Sequence, residues 1–307
     1  KVGIAVMDVD QEWIATVNGE DFFPQQSVSK TWVALSVLDA IDRGRLALDQ
    51  DVFMTREDRS VFHQPIVRNI GSKGFTTDVA DLLKRALTQS DNAANDMLIK
   101  LLGGVDVVTS TLESKGLEGL RMGADEKRLQ AMIAGVPWSD DLVLGDRFRV
   151  ARANLPEYVR DHAMDTYVAD PLDGATPVGI VQALAKLKRG QLLSSAGSQY
   201  LMETMVANTT GHSRLRAGVP RDWKVGDKTG TGQDWDGASV GINDIALMTA
   251  PDGRTYAVAV MIQRTRHSFE ARRTLMQSVS RAVVQHWRNE PASRPIVTQK
   301  EKAPSSG

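Results

Sequence analysis

The chain has 307 residues, 42% of them hydrophobic, and a formal net charge of −1 at pH 7. This length suits one large domain or two packed subdomains with a substantial core. The balanced charge provides no positive field for nucleic acid or an anionic membrane, and no apolar run is long enough to span a bilayer. We therefore expect no nucleic-acid partner and no membrane span, and we favour chemistry on a small molecule.

Cysteine is absent, which excludes thiol nucleophiles, zinc–thiolate sites and disulfides. The histidines show neither HxH nor HExxH spacing, so no metal and no other cofactor is expected. These scattered histidines are His63, His162, His212, His267 and His286. The first residues enter an alternating pattern directly, so no signal peptide is expected within this chain.

The predicted elements begin with strands, continue as helices and return to strands. Alternating residues over 2–9 and 13–17 predict a β-hairpin, and helical spacing begins at Ser29 and stops at Gly44. Further helices are predicted over 77–88, 93–102, 105–114, 176–187 and 195–207. Strands are then predicted over 223–231, 241–249 and 256–263, followed by a closing helix over 269–287.

This order predicts an α/β (α+β) fold in which one antiparallel sheet is built from both ends of the chain and flanked by helices, with an inserted all-α lobe. The α/β subdomain should comprise residues 1–22 and 191–289, and the all-α subdomain residues 23–190. The polar segment 290–307, with its prolines and its Ser-Ser-Gly end, should be a disordered tail.

Ser27 and Lys30 stand three residues apart at a predicted helix start. Their side chains share one helical face there, and a helix N-terminus favours developing negative charge. The pair suits a serine nucleophile with a neighbouring amine. Average composition yields about one Ser-x-x-Lys by chance in a chain of this length, so the pair alone decides nothing.

Two further triplets follow in the chain. Ser90-Asp91-Asn92 lies between two predicted helices, where helix capping is the more ordinary explanation for it. Lys228-Thr229-Gly230 lies in a predicted strand, where a glycine often marks the close approach of a ligand or of another backbone. For this second triplet the functional interpretation is the stronger one.

Together and in this order, the three motifs resemble those of class A β-lactamases and penicillin-binding proteins. Flanking residues extend the resemblance to class A from Val2 to about Trp287, in a β-lactamase/transpeptidase-like fold. The matching flanks are Phe23-Pro24, Ala93-Ala94-Asn95, Arg214-Leu215-Arg216-Ala217-Gly218 and Val225-Gly226-Asp227.

The resemblance implies a serine acylation mechanism on β-lactam substrates. Ser27 would attack the lactam carbonyl, and Lys30 would be the neighbouring proton-transfer group. The N–H groups of Ser27 and Thr231 would form the oxyanion hole. Ser90 would carry a proton toward the leaving nitrogen, and Asn92 would hold the side-chain amide of the substrate.

The substrate's carboxylate would be bound at the third motif. The resemblance implies that Lys228, Thr229 and Gly230 contact it. Arg214 stands where some family members place a carboxylate-binding arginine, and Ile242 occupies the strand position that otherwise supplies one. A surface arginine remains the alternative for Arg214.

Glu126 is the candidate base for deacylation. It follows Ser90 at the family's interval, and Glu126-Lys127-Arg128-Leu129-Gln130 resembles the Glu-x-x-Leu-Asn motif that holds the hydrolytic water. Gln130 replaces the asparagine and carries the same amide on a side chain that is one methylene longer. The alternative for Glu126 is a solvated glutamate in a charged loop.

Two departures from the family pattern surround this glutamate. Ala124 replaces the arginine that usually pairs with the aspartate closing the loop, here Asp173, so the loop must be anchored in another way. The chain is also longer than expected between Gln130 and Pro177, and we interpret about 131–170 as an insertion. Its apolar residues predict a partly folded segment that reshapes access to the active site.

Three functions stay open at this point. The first is a β-lactam hydrolase, a serine β-lactamase. The second is a D-alanyl-D-alanine carboxypeptidase or transpeptidase, which shares the triplets. The third is a penicillin-binding sensor that is acylated without turnover, against which the lack of any visible sensor domain counts. For the leading function we expect a monomer that is periplasmic or secreted, because β-lactams act there.

Overall fold

The structure is a computed structural model that describes residues 1–290. The predicted tail after Asn289 lies almost wholly outside these residues. In the part of the chain that is described, no helix is both long enough and apolar enough to cross a bilayer.

The strands are, in chain order, β1 (Val2–Asp8), β2 (Ile14–Val17), β3 (Phe23–Pro24), β4 (Asp51–Met54), β5 (Phe75–Asp78), β6 (Gly174–Ala175), β7 (Lys224–Gly230), β8 (Asp234–Trp235), β9 (Ala238–Thr249) and β10 (Thr255–Thr265). The helices are α1 (Lys30–Asp42), α2 (Val79–Thr88), α3 (Asn92–Leu102), α4 (Val105–Ser114), α5 (Glu126–Ala134), α6 (Arg147–Ala153), α7 (Glu157–Ala169), α8 (Pro177–Lys188), α9 (Ser195–Val206) and α10 (Phe269–Asn289).

One antiparallel sheet joins the two ends of the chain. Its order is β2-β1-β10-β9-β7, with β8 paired to β9 beside this path. β1 pairs with β10 from Val2 opposite Ile262 to Asp8 opposite Tyr256. The mixed α/β fold with a sheet built from both termini is therefore confirmed.

Both faces of this sheet are covered by apolar residues. Alternation along β10 sends Ala257, Ala259 and Met261 to the core shared with α1 and α8, and sends Val258 and Val260 to a second core against α10. Successive side chains of a strand point to opposite faces, so a strand buried on both faces needs a continuous apolar run. The continuous apolar sequence from which β10 was predicted is explained by this burial on both faces.

Local signals placed most helix ends correctly. The helix predicted over 105–114 is confirmed residue for residue as α4, and the left-handed Gly103 ends α3. The helix predicted from Thr77 begins instead at Val79, because 75–78 form β5, which pairs with β4, and Asp78 caps α2 by accepting from the Asp81 N–H.

The 131–170 segment is folded, as predicted. After α5 ends at Gly135, it contains a 3-10 turn over Asp140–Val143 followed by α6 and α7. Phe148 of α6 packs in a small cluster with Val61, separate from the main core, and its ring lies edge-on to Phe62 with the centroids 5.3 Å apart. The segment therefore rests on the loop at 61–62 beside the start of α3.

Because this cluster is separate from the main core, Phe148→Ala should loosen the segment without unfolding the protein. We expect the free energy of local opening to fall by about 3 kcal/mol, the usual cost of a buried Phe→Ala change. Hydrogen exchange should accelerate over 140–155 with little change in the global Tm. Val150→Ala, at a residue 47% exposed on the same helix, is the control; equal acceleration there would contradict the packing role.

Candidate active site

Ser27 lies in a 3-10 turn over Gln26–Ser29 that leads directly into α1. The residue before it, Gln26, has a φ of 52°, a backbone conformation that costs energy for a side chain of this kind. Asn243 of β9 holds the preceding backbone, since its Nδ2 donates to the carbonyls of Pro24 (2.7 Å) and Gln25 (3.0 Å). The sheet thereby fixes the position of the serine.

Lys30 connects three segments of the chain at one atom. Its Nζ donates to Ser27 Oγ (2.7 Å), Asn92 Oδ1 (2.8 Å) and Glu126 Oε2 (3.1 Å). The lysine side chain is fully buried, and that of Glu126 is 4% exposed. A buried ammonium needs such partners, and here they use all three of its donors.

Ser90 and Lys228 face each other across the same cleft. Ser90 has a φ of 58°, and Asn92 is the first residue of α3 rather than part of a loop. Lys228 Nζ donates to Ser90 Oγ at 3.0 Å and to the Thr229 carbonyl at 3.0 Å. Burial, reinforced by the charge of Lys30, holds the pKa of Lys228 well below its ordinary value, so this lysine gives up a proton more readily than a solvated one.

Arg214 lies beneath the third motif rather than on the surface. Its guanidinium donates to the carbonyls of Gly230 (2.9 Å) and Asn243 (2.6 Å) and to Thr231 Oγ1 (2.7 Å). The side chain of Ile242 packs in the apolar core against α10, so it brings no charge to the cleft. Arg214 and Lys228 are therefore cations in direct contact with the third motif.

Gly230 is required by a close backbone approach. A Cβ on this residue would lie 2.4 Å from the carbonyl oxygen of Gln25, two residues before the serine. Of the two explanations for a glycine here, a ligand or another backbone, the structure supports the second. Any side chain at 230 would push β7 away from the serine turn.

Glu126 begins α5 and is held by Gln130 one turn later. Gln130 Nε2 donates to Glu126 Oε1 at 3.0 Å and to Gln26 Oε1 at 2.9 Å, and its Oε1 accepts from Gln233 Nε2 at 3.0 Å. All of these side chains are buried, so Glu126 is not a solvated loop residue. Its carboxylate lies between Lys30 and Gln130.

These residues line one cleft with a volume of about 540 Å³. The structure brings together every predicted site residue that projects a side chain, at one end of the sheet between β7 and the helices. Nine further residues that line the same cleft were not selected from the sequence: Phe62, His63, Gln89, Arg152, Thr210, Gly211, Gly232, Gln233 and Asp234. None of the nine belongs to a recognised motif, and Arg152 lies in the segment that we interpret from the sequence as an insertion.

The comparisons with known proteins agree with this geometry. The family model described as the β-lactamase enzyme family matches residues 1–287. The chain belongs to this family. It is a serine β-lactamase of the class A type and hydrolyses β-lactams.

The similarity extends along almost the whole β-lactamase. The extended-spectrum β-lactamase PER-1 of Pseudomonas aeruginosa is 28% identical over 92% of this chain and 82% of its own. An ancestral class A β-lactamase structure is 31% identical with a TM-score of 0.74, covering 93% of this chain and 94% of its own. The structure of a β-lactamase from Chitinophaga pinensis DSM 2588 is 27% identical, with a TM-score of 0.76 and 94% of both chains covered.

The loop of this β-lactamase is anchored without the arginine that Ala124 replaces. Asp173 accepts from the backbone N–H of Gln26 (2.7 Å) and from Tyr167 OH (2.8 Å), and Tyr167 OH accepts from Gln26 Nε2 at 2.5 Å. Burial raises the pKa of Asp173 to about 6. The different anchor expected from the sequence is thus a tyrosine of α7, and it also holds the left-handed Gln26.

A second buried carboxyl, Asp96 of α3, supports the start of α5. It accepts from the backbone N–H groups of Glu126 (2.7 Å) and Lys127 (3.3 Å). Burial, with the nearby carboxylates of Asp125 and Glu126, raises its pKa to about 7. The carboxyls of Asp96, Asp125 and Glu126 therefore lie close together beside the catalytic cleft.

The raised pKa of Asp96 predicts how Asp96→Asn will behave. A carboxyl whose pKa is higher in the folded than in the unfolded chain stabilises the fold at low pH and loses that contribution as the pH rises through its folded pKa. Asparagine keeps the acceptor for the Glu126 N–H but never ionises. The variant should therefore gain stability relative to the wild type between pH 4 and pH 8, by on the order of 2 kcal/mol.

Thermal unfolding of both proteins across this range measures the effect. Asp106→Asn, at an exposed residue of α4, is the matched control and should show no such trend. A difference in stability between Asp96→Asn and the wild type that does not change with pH would contradict the ionisation of Asp96 near neutrality.

Proposed function

We propose that Ser27 is the nucleophile and that Lys30 relays its proton when the β-lactam ring opens: the Lys30 ammonium passes one proton to Glu126 Oε2, 3.1 Å away, and takes up the proton of Ser27. The observation that supports this is the single ammonium of Lys30 in contact with Ser27, Asn92 and Glu126. Ser27 Oγ forms a bond to the lactam carbonyl carbon, and the carbon–nitrogen bond of the ring then breaks. An acyl ester on the serine remains.

The lactam nitrogen must receive a proton as it leaves. We assign this transfer to Ser90, whose Oγ lies 3.0 Å from Lys228 Nζ. The lowered pKa of Lys228 allows it to supply a proton to Ser90 after Ser90 has given its own to the nitrogen. The N–H groups of Ser27 and Thr231 are assigned to the oxyanion that forms at the carbonyl.

The substrate's carboxylate is assigned to the end of the cleft that Lys228, Thr229 and Arg214 form. Thr229 Oγ1 lies 2.9 Å from Thr210 Oγ1, so two hydroxyls are available beside the two cations. Arg214 holds the strand end at Gly230 and Thr231 while its charge attracts the anion. Asn92, oriented by its contacts with Lys30 and the Val61 carbonyl, would hold the acylamide.

Deacylation requires a base that activates water against the ester. We assign this role to Glu126, which among residues 1–290 is the one carboxylate in contact with Lys30. Both N–H groups of the Gln130 amide are already used by Glu126 and Gln26, so we assign Gln130 to orienting Glu126 rather than to donating to the water.

We further propose that the enzyme acts as a monomer in the periplasm or as a secreted protein. β-Lactams act on the cell wall, so an enzyme that destroys them is useful on that side of the membrane. The substrate class follows from the family, and the acyl side chains it accepts are addressed below.

Glu126→Ala should convert this protein into one that is acylated by the β-lactam but does not hydrolyse the acyl ester. Acylation should continue more slowly, with a water in place of the carboxylate accepting the Lys30 proton, whereas hydrolysis of the ester should slow by about a thousandfold without its base. Intact-mass measurement of the variant with benzylpenicillin should show a persistent adduct of one molecule, absent in Ser27→Ala. The wild type should show only a transient adduct during many turnovers.

Glu113→Ala removes an exposed glutamate of α4 and is the matched control, with wild-type turnover expected. Rapid turnover by Glu126→Ala would remove Glu126 from the mechanism. A stable adduct on the wild-type protein, without turnover, would instead indicate a penicillin-binding protein or sensor.

A further inference from the structure

Arg152 of α6 extends from the 131–170 segment into the cleft. Its side chain is partly buried and lines the same cavity as Ser27. Arg152 Nε donates to Gln233 Oε1 at 2.9 Å, and Nη2 donates to the Asp234 carbonyl at 3.3 Å. Gln233 is itself buried and bonded to Gln130, so a continuous hydrogen-bonded chain fixes the guanidinium in place.

The charge of Arg152 is not neutralised by a carboxylate. Its neighbours on α6, Arg147 and Arg149, are each paired with an aspartate, at 2.7 and 2.9 Å. Within residues 1–290, no carboxylate oxygen lies within 4.0 Å of the Arg152 guanidinium. Arg160, which stacks on the ring of Trp235, adds a second positive charge nearby. The carboxylates of Asp234, which lines the cleft, and Asp161, which accepts from Trp235 Nε1, lie near these two cations, but neither forms an ion pair with Arg152.

Arg152 and Arg214 contact the same wall of the cleft at different points. Arg214 bonds to Gly230 and Thr231, whereas Arg152 bonds to Gln233 and Asp234. The three residues of chain from Thr231 to Asp234 span at most about 10 Å, so the two guanidinium groups contact separate points of the cleft. A substrate whose ring carboxylate lies at the Arg214 end would direct its acyl side chain toward Arg152.

We propose that Arg152 binds a carboxylate on the acyl side chain of the substrate, so that the enzyme prefers dianionic β-lactams over their monoanionic counterparts. This inference rests on the proposed function, since it uses the assigned orientation of the substrate. Two N–H groups of Arg152 Nη1 donate to none of the described residues, which leaves them for a bidentate or single contact with the anion.

An aromatic surface adjoins this cation. Phe62 lines the cleft with 49% of its surface exposed, and its ring centroid lies 5.9 Å from the Arg152 guanidinium. Phe148 packs edge-on against the Phe62 ring and supports it. A side chain that carries both an aryl group and a carboxylate would therefore find an apolar surface and a cation together.

Benzylpenicillin and carbenicillin test this proposal because they differ only by a carboxylate on the carbon beside the phenyl ring. The readout is the second-order rate constant of Ser27 acylation for each compound, measured on wild type, Arg152→Gln and Arg152→Lys. Arg152→Gln should lower the carbenicillin rate about tenfold more than the benzylpenicillin rate, as expected for a partly exposed ion pair. Arg152→Lys should retain most of the wild-type preference for carbenicillin over benzylpenicillin. High salt should reduce this preference in the wild type.

Arg149→Gln removes an exposed arginine from the same helix and should leave the ratio of the two rates unchanged. If Arg152 only supported Gln233, both compounds would slow equally in Arg152→Gln, and this inference would be wrong. Acylation without turnover in the wild type would overturn only the proposed deacylation step. The ratio of the two acylation rate constants would still test the role of Arg152. Acylation by neither compound would overturn both.

Discussion

The buried ammonium of Lys30 is the constraint on which the rest of the site depends. An unpaired charge at such a position would be strongly destabilising, so the fold must bring acceptors to it. It does so from the preceding turn through Ser27, and from two distant segments through Asn92 and Glu126. The same contacts that satisfy the charge place a hydroxyl and a carboxylate on either side of one proton carrier. Stability and chemistry therefore require the same arrangement of α1, α3 and α5.

The surroundings of Gln26 show how the chain maintains backbone strain next to Ser27. A left-handed glutamine is unfavourable by itself, and it persists because Asp173, Tyr167 and Gln130 hold its backbone and side chain. Tyr167 belongs to the 131–170 segment, which we interpret from the sequence as an insertion. That segment therefore contributes an anchor to the serine turn through α7 and, through α6, a wall and a cation to the cleft.

Much of the fold was predictable because its signals are local. Caps and left-handed glycines end helices wherever they occur, which is why α4 was predicted residue for residue and why α3 ends at Gly103. The start of α2 was misplaced at Thr77 because β5 exists only through its pairing with β4, a contact between distant residues. The helices α5, α6 and α7 and the 3-10 turn at 140–143 were not predicted. α6 and α7 bury only Phe148, Met164 and Tyr167, so their sequences carry little apolar periodicity.

The sequence by itself determined the kind of chemistry, since three spaced motifs and a following glutamate specify a serine acyl-transfer site wherever the chain folds as its relatives do. Only the tertiary structure decided what each departure from the pattern means. It showed that Gly230 admits the Gln25 backbone, that both N–H groups of the Gln130 amide are used, and that Arg152 faces the cleft with no ion pair to a carboxylate of residues 1–290. These facts depend on distances between residues far apart in the chain, which residue order alone does not encode.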